Sequence, residues 1–105
     1  MDAVVYLVKK KREKNSIGQY VEVGEALTEI FAEINSITRT EFSAAGRIGF
    51  NPDIFFRTPL INYDGEDEVE YDGKRYLIYR TYISPENSDY IELYAQKKAG
   101  VSWNQ

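Results

Sequence analysis

The chain has 105 residues, a length typical of one domain, and it contains no cysteine and no histidine. This composition excludes disulfide scaffolds, thiolate metal sites and catalysis by cysteine or histidine. The formal net charge of −4 is opposite to the basic excess that usually accompanies binding of nucleic-acid phosphates. The apolar run Val4–Val8 is too short for a signal peptide or a membrane span, so synthesis inside the cell is expected.

The N-terminal third predicts two strands separated by a polar loop. Valine and tyrosine favour a strand over Val4–Lys10. The charged stretch Lys11–Gly18 predicts a solvated loop that could order on a partner. A second strand is expected over Ala26–Ser36, because apolar residues recur there at every second position. Its core-facing residues are predicted to be Ile30, Ala32 and Ile34.

One short helix is predicted after this strand. Thr38 and Glu41 have the spacing of a capping box, in which the threonine side chain accepts from a free helix N–H and the glutamate reaches back to the N–H of the cap. A positive φ at Gly46 or Gly49 would end the helix. Phe42 is expected to pack the helix onto the sheet.

A third strand and an acidic cluster follow. Asp53–Tyr63 alternates, and Pro59, which has no N–H to donate, predicts an edge strand or a bulge. One side of this strand carries Ile54, Phe56, Thr58 and Leu60. The next acidic side chains are expected to form a solvated strand edge that discourages unwanted pairing. They are Glu66, Asp67, Glu68 and Glu70.

The strongest local signal is Asp72-Gly73, which predicts a two-residue type I′ turn. The turn joins a strand over Glu66–Tyr71 to a return strand over Lys74–Ile83. After a further loop, the alternation of Tyr90–Lys97 predicts a last strand, and Lys98–Gln105 is expected to be a frayed tail. The core-facing residues of the last strand are predicted to be Ile91, Leu93 and Ala95.

The turn also determines which hairpin side chains share a face. Val69 should pair with Tyr76, and both should face the core together with Ile78. The opposite face is predicted to carry Glu70, Arg75, Leu77, Tyr79 and Ile83. Apolar side chains are therefore left outside the core. They could be covered by the helix or a loop of the same chain, or they could form a protein interface.

Together these elements predict a mostly β protein. About six short strands with regular turns are typical of a small antiparallel β-barrel, here with one short α-helix. The barrel is expected to be a single domain over residues 1–105.

Four segments of the chain stand out when they are taken in order. They are I-N-S-I-T-R-T-E-F followed by A-A-G, then N-Y-D-G-E, V-E-Y-D-G-K-R-Y-L-I-Y-R and I-E-L-Y. In this order and spacing they resemble the head–tail joining family of long-tailed phages, the head-closure or stopper proteins of the head–tail connector. The resemblance is close from Ile34 to Val101 and looser from Val4 to Val23. It implies a small β-barrel with one short helix and no catalytic residue, cofactor or metal.

The resemblance also implies a structural role in the virion. Proteins of this family form a ring below the portal and adaptor rings after DNA packaging, close the channel and dock the tail. The implied partners are the portal or adaptor ring proteins and the tail-end (tail terminator) protein, with no membrane. A homo-oligomeric ring is implied in the virion, whereas the free chain is expected to be a monomer in the host cytoplasm during assembly. Packaged DNA would pass nearby without specific binding, and the acidic cluster could line the channel.

The resemblance points to two groups of candidate residues. By position, the helix and the channel-closing loop of the family correspond to about residues 38–55. The candidates for channel closure are Arg47, Phe50, Asn51 and Asp53. The candidates for a protein interface are Leu77, Tyr79, Arg80, Tyr82 and Tyr94.

Two other classes of function stay open from the sequence. An OB-like barrel could bind single-stranded nucleic acid by stacking bases on tyrosines beside basic residues, and such binding should depend on salt. The residues of this platform would be Tyr76, Tyr79, Tyr82, Arg75 and Arg80. An enzyme could use paired carboxylates, although solvated charge is their expected role. The pairs are Asp64 with Glu66 and Asp67 with Glu70.

Overall fold

The computed structural model describes residues 2–98, which form a closed antiparallel β-barrel. Its strands are β1 (Asp2–Lys14), β2 (Tyr20–Ser36), β3 (Ile54–Pro59), β4 (Glu68–Tyr71), β5 (Lys74–Tyr82) and β6 (Tyr90–Lys97). A helix, α1 (Arg39–Arg47), follows β2, and a 3-10 helix (Leu60–Asn62) follows β3. The sheet closes in the order β1-β2-β3-β6-β5-β4. The predicted fold class, a barrel of six strands with one short helix, is confirmed. Of the predicted tail, residues 99–105 lie outside the described residues.

Alternate residues of all six strands fill the barrel. Phe56 is completely buried, and its ring meets those of Tyr71 and Tyr76 edge-on, with centroids 5.9 and 5.8 Å apart. The buried cluster consists of Val5, Leu7, Ile30, Ala32, Phe56, Val69, Tyr76, Ile91, Leu93 and Ala95. The predicted core faces of β2, the hairpin and β6 are therefore confirmed, with Ile34 and Ile78 packed against the cluster.

The hairpin has the predicted register but contains one feature that alternation alone does not predict. Val69 pairs with Tyr76, and Asp72 and Gly73 have φ angles of 55° and 74°, as a type I′ turn requires. A β-bulge between Ile78 and Arg80 leaves Tyr79 without a partner on β6. The extra residue shifts the alternation of side chains by one position. Arg80 therefore points outward, although residues at even positions before the bulge point into the core.

The prediction of a loop over Lys11–Gly18 is wrong. β1 continues to Lys14 and β2 begins at Tyr20, so only residues 15–19 turn the chain. Residues 11–14 and 20–24 are all exposed, and among the described residues they pair only with each other. The two strands therefore form a ribbon that extends beyond the barrel. Pairing between the two strands satisfies their backbone N–H and C=O groups and does not require burial of side chains. A polar sequence can therefore form these strands.

The predicted strand Asp53–Tyr63 ends early, at Pro59. β3 pairs with β2 and with β6, so Pro59 is not on an edge strand; it is tolerated because the strand stops there. The chain then turns into the 3-10 helix, and the N–H of Leu60 donates to the carbonyl of Asp89 at 2.8 Å. Leu60 is consequently exposed instead of facing the core.

With nine residues, α1 is too short to cross a lipid bilayer, and the described part of the chain, residues 2–98, contains no helix long and apolar enough to do so.

Candidate functional site

The outward side chains of β3, β6 and β5 form one surface of aromatic and arginine residues. Phe56 on β3 and Leu93 on β6 point into the core, so the residues that alternate with them point away from it. We call this surface the aromatic–arginine face. It consists of Phe55, Arg57, Arg80, Tyr82, Tyr90, Glu92 and Tyr94.

Tyr94 lies at the centre of one row across this face. The register places Phe55 on one side of it and Arg80 on the other. The rings of Phe55 and Tyr94 stack with centroids 4.9 Å apart, and the Arg80 guanidinium lies 4.1 Å from the Tyr94 centroid. The Tyr94 hydroxyl donates to Glu92 at 2.7 Å. Burial, together with this hydrogen bond, raises the pKa of Tyr94 to about 12, so the phenol is a hydrogen-bond donor at neutral pH.

A second contact of the same kind lies further along β3 and β6. The Arg57 guanidinium lies 4.5 Å from the centroid of Tyr90, and it pairs with Glu33 of β2 at 3.4 Å. Tyr82 continues the face on β5, where it is 43% exposed. The face thus presents aromatic rings and arginines in contact with each other, of which Arg80, Tyr82 and Tyr90 are exposed and the others half-buried.

Local sequence signals determine where α1 begins and where it ends. The helix lies beside this face. The side-chain oxygen of Thr38 accepts from the N–H of Glu41 at 3.1 Å, as predicted. At the other end Gly49 has a φ of 91°, and the N–H groups of Gly49 and Phe50 donate to carbonyls of the last helical turn at 3.2 and 2.9 Å. These bonds form a Schellman motif, which turns Phe50 back towards the barrel.

Glu41 attaches α1 to the barrel instead of completing the capping box. Its carboxylate accepts from the Tyr79 hydroxyl at 2.7 Å and from the Arg80 guanidinium at 2.6 Å. Hydrogen bonds to a guanidinium are stronger than one to the neutral N–H of Thr38, so the side chain turns to the barrel. Burial alone would raise the pKa of Glu41, but the bonds from Arg80 and Tyr79 lower it below its usual value. Phe50 stacks on Tyr79 with centroids 4.7 Å apart.

The prediction that Phe42 packs the helix onto the barrel is wrong. Phe42 is 52% exposed, whereas Ala45 is the buried residue of α1. Since Ala45 is small, the helix can approach the barrel closely, and the aromatic contact is supplied by Phe50 after the helix.

Two glycines of this region should respond oppositely to alanine. Gly49→Ala should lower the free energy of unfolding by about 1 kcal/mol, because its φ of 91° is strained for a residue with a Cβ. Gly46→Ala should raise it by about 0.5–1 kcal/mol, because Gly46 lies inside the helix and an added Cβ meets nothing within 4 Å. Thermal unfolding followed by circular dichroism measures both. Equal effects of the two substitutions would contradict the Schellman motif.

The five interface candidates do not lie together. The aromatic–arginine face contains three of them, Arg80, Tyr82 and Tyr94. Tyr79 is instead covered by Phe50 and Glu41 of the same chain. Leu77 lies in a groove of about 550 Å³. The groove is lined by Lys10, Arg12, Glu22, Phe50, Asp67, Glu68, Leu77, Ile78 and Tyr79.

The channel-closing candidates lie in a short connection that is largely tied down. Arg47 is exposed at the end of α1, and Phe50 is stacked on the barrel. The N–H of Asn51 donates to a β6 side chain at 2.7 Å, and the N–H of Asp53 donates to a β6 carbonyl at 2.9 Å. The side chain of Phe50 and the backbone of Asn51 and Asp53 are thus bound to the barrel, whereas Arg47 is exposed at the end of the helix.

The tyrosines and arginines of the nucleic-acid platform do not share a surface. Tyr76 is in the core, where it is 5% exposed. Arg75 is bound by Glu25, Glu68 and Glu70, and the bond to Glu25 is the largest of the effects that raise its pKa. These two residues are therefore separated from the stacking surface.

The acidic cluster is not a solvated edge, because β4 pairs on both sides and two of the four carboxylates are buried. Glu66 is 5% exposed and accepts from the N–H of Asp64 at 2.7 Å, so this pair stabilises a turn. Asp64 also pairs with Lys9 at 3.0 Å, and Glu70 pairs with Arg75 at 3.2 Å. Within residues 2–98, no group of three or more acidic side chains is close enough together to hold a metal ion.

Glu68 is the centre of a cluster of ion pairs. Its carboxylate is 5% exposed and contacts Lys10 at 3.4 Å, Arg75 at 2.9 Å and Lys98 at 2.8 Å. Burial alone would raise the pKa of Glu68, but the hydrogen bonds from Lys98 and Arg75 lower it below its usual value. Three cations from different parts of the chain thus converge on one buried anion.

Several residues of the face were missed by reasoning from the sequence. Phe55 and Arg57 alternate with core residues, a signal that places them outside the barrel without indicating their neighbours. Tyr90 alternates in the same way on β6. Only the pairing of β3 with β6 and of β6 with β5 brings these side chains together.

No protein-family model matches this chain, and no curated protein matches it.

Proposed function

We propose that this chain is a structural protein of a phage head–tail connector. It acts in the virion as a ring on the portal or adaptor, formed in the host cytoplasm after DNA packaging. It closes the channel and provides the docking surface for the tail-end protein. The aromatic–arginine face carries this proposal, because tyrosine, phenylalanine and arginine are the residues enriched at protein interfaces.

The geometry of the face suits docking. The strands hold its backbone, and the stacks of Phe55 on Tyr94 and of Arg80 on Tyr94 order these side chains before any partner arrives. Less conformational entropy is then lost on binding. A ring repeats each contact by symmetry, so a weak contact per copy is sufficient for a stable assembly.

Two segments are candidates for reaching into the channel. The first is the α1–β3 connection, in which Arg47 is exposed, while a role for Phe50, Asn51 and Asp53 requires them to leave the barrel. The second is the β1–β2 ribbon, because it extends beyond the barrel. In either case DNA passes an acidic protein that does not hold phosphates tightly.

Affinity purification of the tagged chain, from cells in which the encoding phage grows, tests this function. Portal, adaptor or tail-end proteins are expected in the purified material. Tyr82→Ala should reduce their yield by about tenfold, the effect of removing one interface anchor. Ile61→Ala is the matched control, because Ile61 is 93% exposed on the 3-10 helix and lies outside the face and outside both channel candidates.

Recovery of DNA-replication proteins or nuclease-sensitive nucleic acid, without virion proteins, would contradict the connector function. It would favour the OB-like alternative instead. That alternative requires salt-dependent binding of the purified chain to single-stranded DNA, which a fluorescence anisotropy titration measures.

A further inference from the structure

The groove of about 550 Å³ that contains Leu77 is lined by apolar side chains of β5 and of the α1–β3 connection. We call it the Leu77 groove. Phe50 is stacked on Tyr79 with ring centroids 4.7 Å apart, and Leu77 and Ile78 beside them are only half-buried. The β1–β2 ribbon contributes Arg12 to the same lining. A concave surface with apolar groups in reach of water favours an apolar occupant.

The described part of the chain stops at Lys98, beside this groove. The N–H of Lys98 donates to the carbonyl of Arg75 at 2.9 Å, and its Nζ contacts the carboxylate of Glu68 at 2.8 Å. Glu68 lines the Leu77 groove and is the partner of Leu77 across the hairpin. Whatever follows Lys98 therefore starts next to the groove.

The segment that follows is long enough to occupy the groove. Seven residues, A-G-V-S-W-N-Q, come after Lys98, and they can span about 23 Å when extended. Along β5, Leu77 and Tyr79 lie two and four residues beyond Arg75, roughly 7 and 14 Å. Because β6 runs antiparallel to β5, the chain has to reverse its direction after Lys98, and glycine at position 100 permits such a turn.

The segment also carries the side chains that suit this lining. In an extended chain, residues two apart point to the same side, so the sequence puts Val101 and Trp103 together and Ser102 opposite to them. Burial of a tryptophan removes a large apolar area from water. Its ring is the one that binds a guanidinium best, as Arg12 offers, and its N–H can donate to the carboxylate of Glu22, which also lines the groove.

We propose that residues 99–105 fold back and pack into the Leu77 groove, with Trp103 against Leu77 and Phe50. The segment then bridges the β1–β2 ribbon and the α1–β3 connection. It covers Leu77, one of the five interface candidates, so a partner that binds at Leu77 has to displace it first. The inference rests on the groove and on the position of Lys98, and it does not depend on the connector function.

The fluorescence of Trp103 tests this contact, because it is the only tryptophan of the chain. In the folded protein, acrylamide should quench Trp103 much less than it quenches a synthetic peptide with the sequence of residues 97–105. The emission maximum of the protein should also lie at shorter wavelength. Both differences are expected because the docked ring is shielded from water and from the quencher.

Leu77→Asn supplies the disruption, since it replaces the apolar contact by a polar group of similar size. The quenching constant should rise to that of the peptide, and the emission maximum should shift to longer wavelength. Leu60→Asn is the matched control, because Leu60 is exposed on the 3-10 helix and does not line the groove. It should behave like the parent chain. Circular dichroism of both variants checks that the barrel is folded.

Trp103→Ala gives a second test, which remains available if Leu77→Asn does not fold. The change lies outside the barrel strands. In ¹⁵N-resolved NMR spectra it should shift the backbone amide signals of Phe50, Leu77 and Ile78. The amide signals of the 3-10 helix should stay where they are in the parent chain.

Quenching in the parent chain as strong as in the peptide would overturn the inference, and it would agree with the frayed tail that the sequence predicts. Protection that survives in folded Leu77→Asn, or amide shifts confined to other parts of the barrel, would overturn it too, because the segment would then dock elsewhere. Capture of virion proteins is a separate measurement, so a failure here is distinguishable from a failure of the connector function.

Discussion

Phe56→Ala should lower the free energy of unfolding by about 3–5 kcal/mol. The side chain is completely buried and touches Tyr71 and Tyr76 edge-on, so its removal loses apolar burial and leaves a cavity in a barrel that closes on all sides. A domain of this size has a total stability of about 5–15 kcal/mol, so the loss is a large fraction of it. Urea denaturation followed by far-UV circular dichroism measures the change.

Phe55→Ala is the matched control, because the two phenylalanines are neighbours on β3 and point to opposite sides of the sheet. Phe55 is only half-buried and loses one stack, on Tyr94, so about 1 kcal/mol is expected. The m-value of both variants should match that of the parent chain if unfolding stays two-state. A larger loss at Phe55 than at Phe56 would mean that β3 is shifted by one residue.

Glu68→Gln should lower the stability by about 2 kcal/mol at neutral pH, since it removes the anion shared by Lys10, Arg75 and Lys98. The figure is smaller than for a fully buried pair because the three cations keep contact with solvent, which screens them. Glu70→Gln is the control. Glu70 is 38% exposed and binds only Arg75 among these cations, so a loss below about 1 kcal/mol is expected.

The effect of Glu68 should depend on pH in a definite direction. Its pKa in the folded chain lies below the ordinary value of 4.5, so folding favours the ionised form. The stabilisation is fully present above pH 4.5 and is lost as the pH falls through the folded-state pKa. The parent chain and Glu68→Gln should therefore differ in melting temperature at pH 7 and converge in acid. A difference that grows below pH 4.5 would contradict the ion-pair cluster.

The candidate site was only partly accessible from sequence reasoning. The sequence predicts Arg80, Tyr82 and Tyr94 as candidates for an interface, and the structure shows only that these three side chains lie on one face. Tyr79, in contrast, is covered by Phe50, a contact between residues far apart in the chain. Whether an outward tyrosine is free or covered depends on the approach of a distant segment, and no local pattern reports it.

Several features of the fold follow from interactions between residues that are close in the sequence. The alternation of apolar residues assigned the core faces of β2, β4, β5 and β6, because neighbouring strand residues point to opposite sides. Asp72-Gly73 predicts the hairpin register and Thr38 predicts the start of α1, because turns and caps depend on the φ angles and side chains of a few adjacent residues. For the end of the helix the sequence offers Gly46 or Gly49, and the positive φ is found at Gly49.

Local patterns do not predict the order of strands, the bulge at Tyr79, the extension of the β1–β2 ribbon or the burial of Glu68. Each depends on which distant segments meet. Pairing in the order β3-β6-β5 creates the aromatic–arginine face, and the convergence of three cations makes a buried carboxylate stable in a cluster whose composition suggests exposure. Glu41 shows the same limit, since Tyr79 and Arg80 compete with the helix cap for its carboxylate only once the barrel has formed.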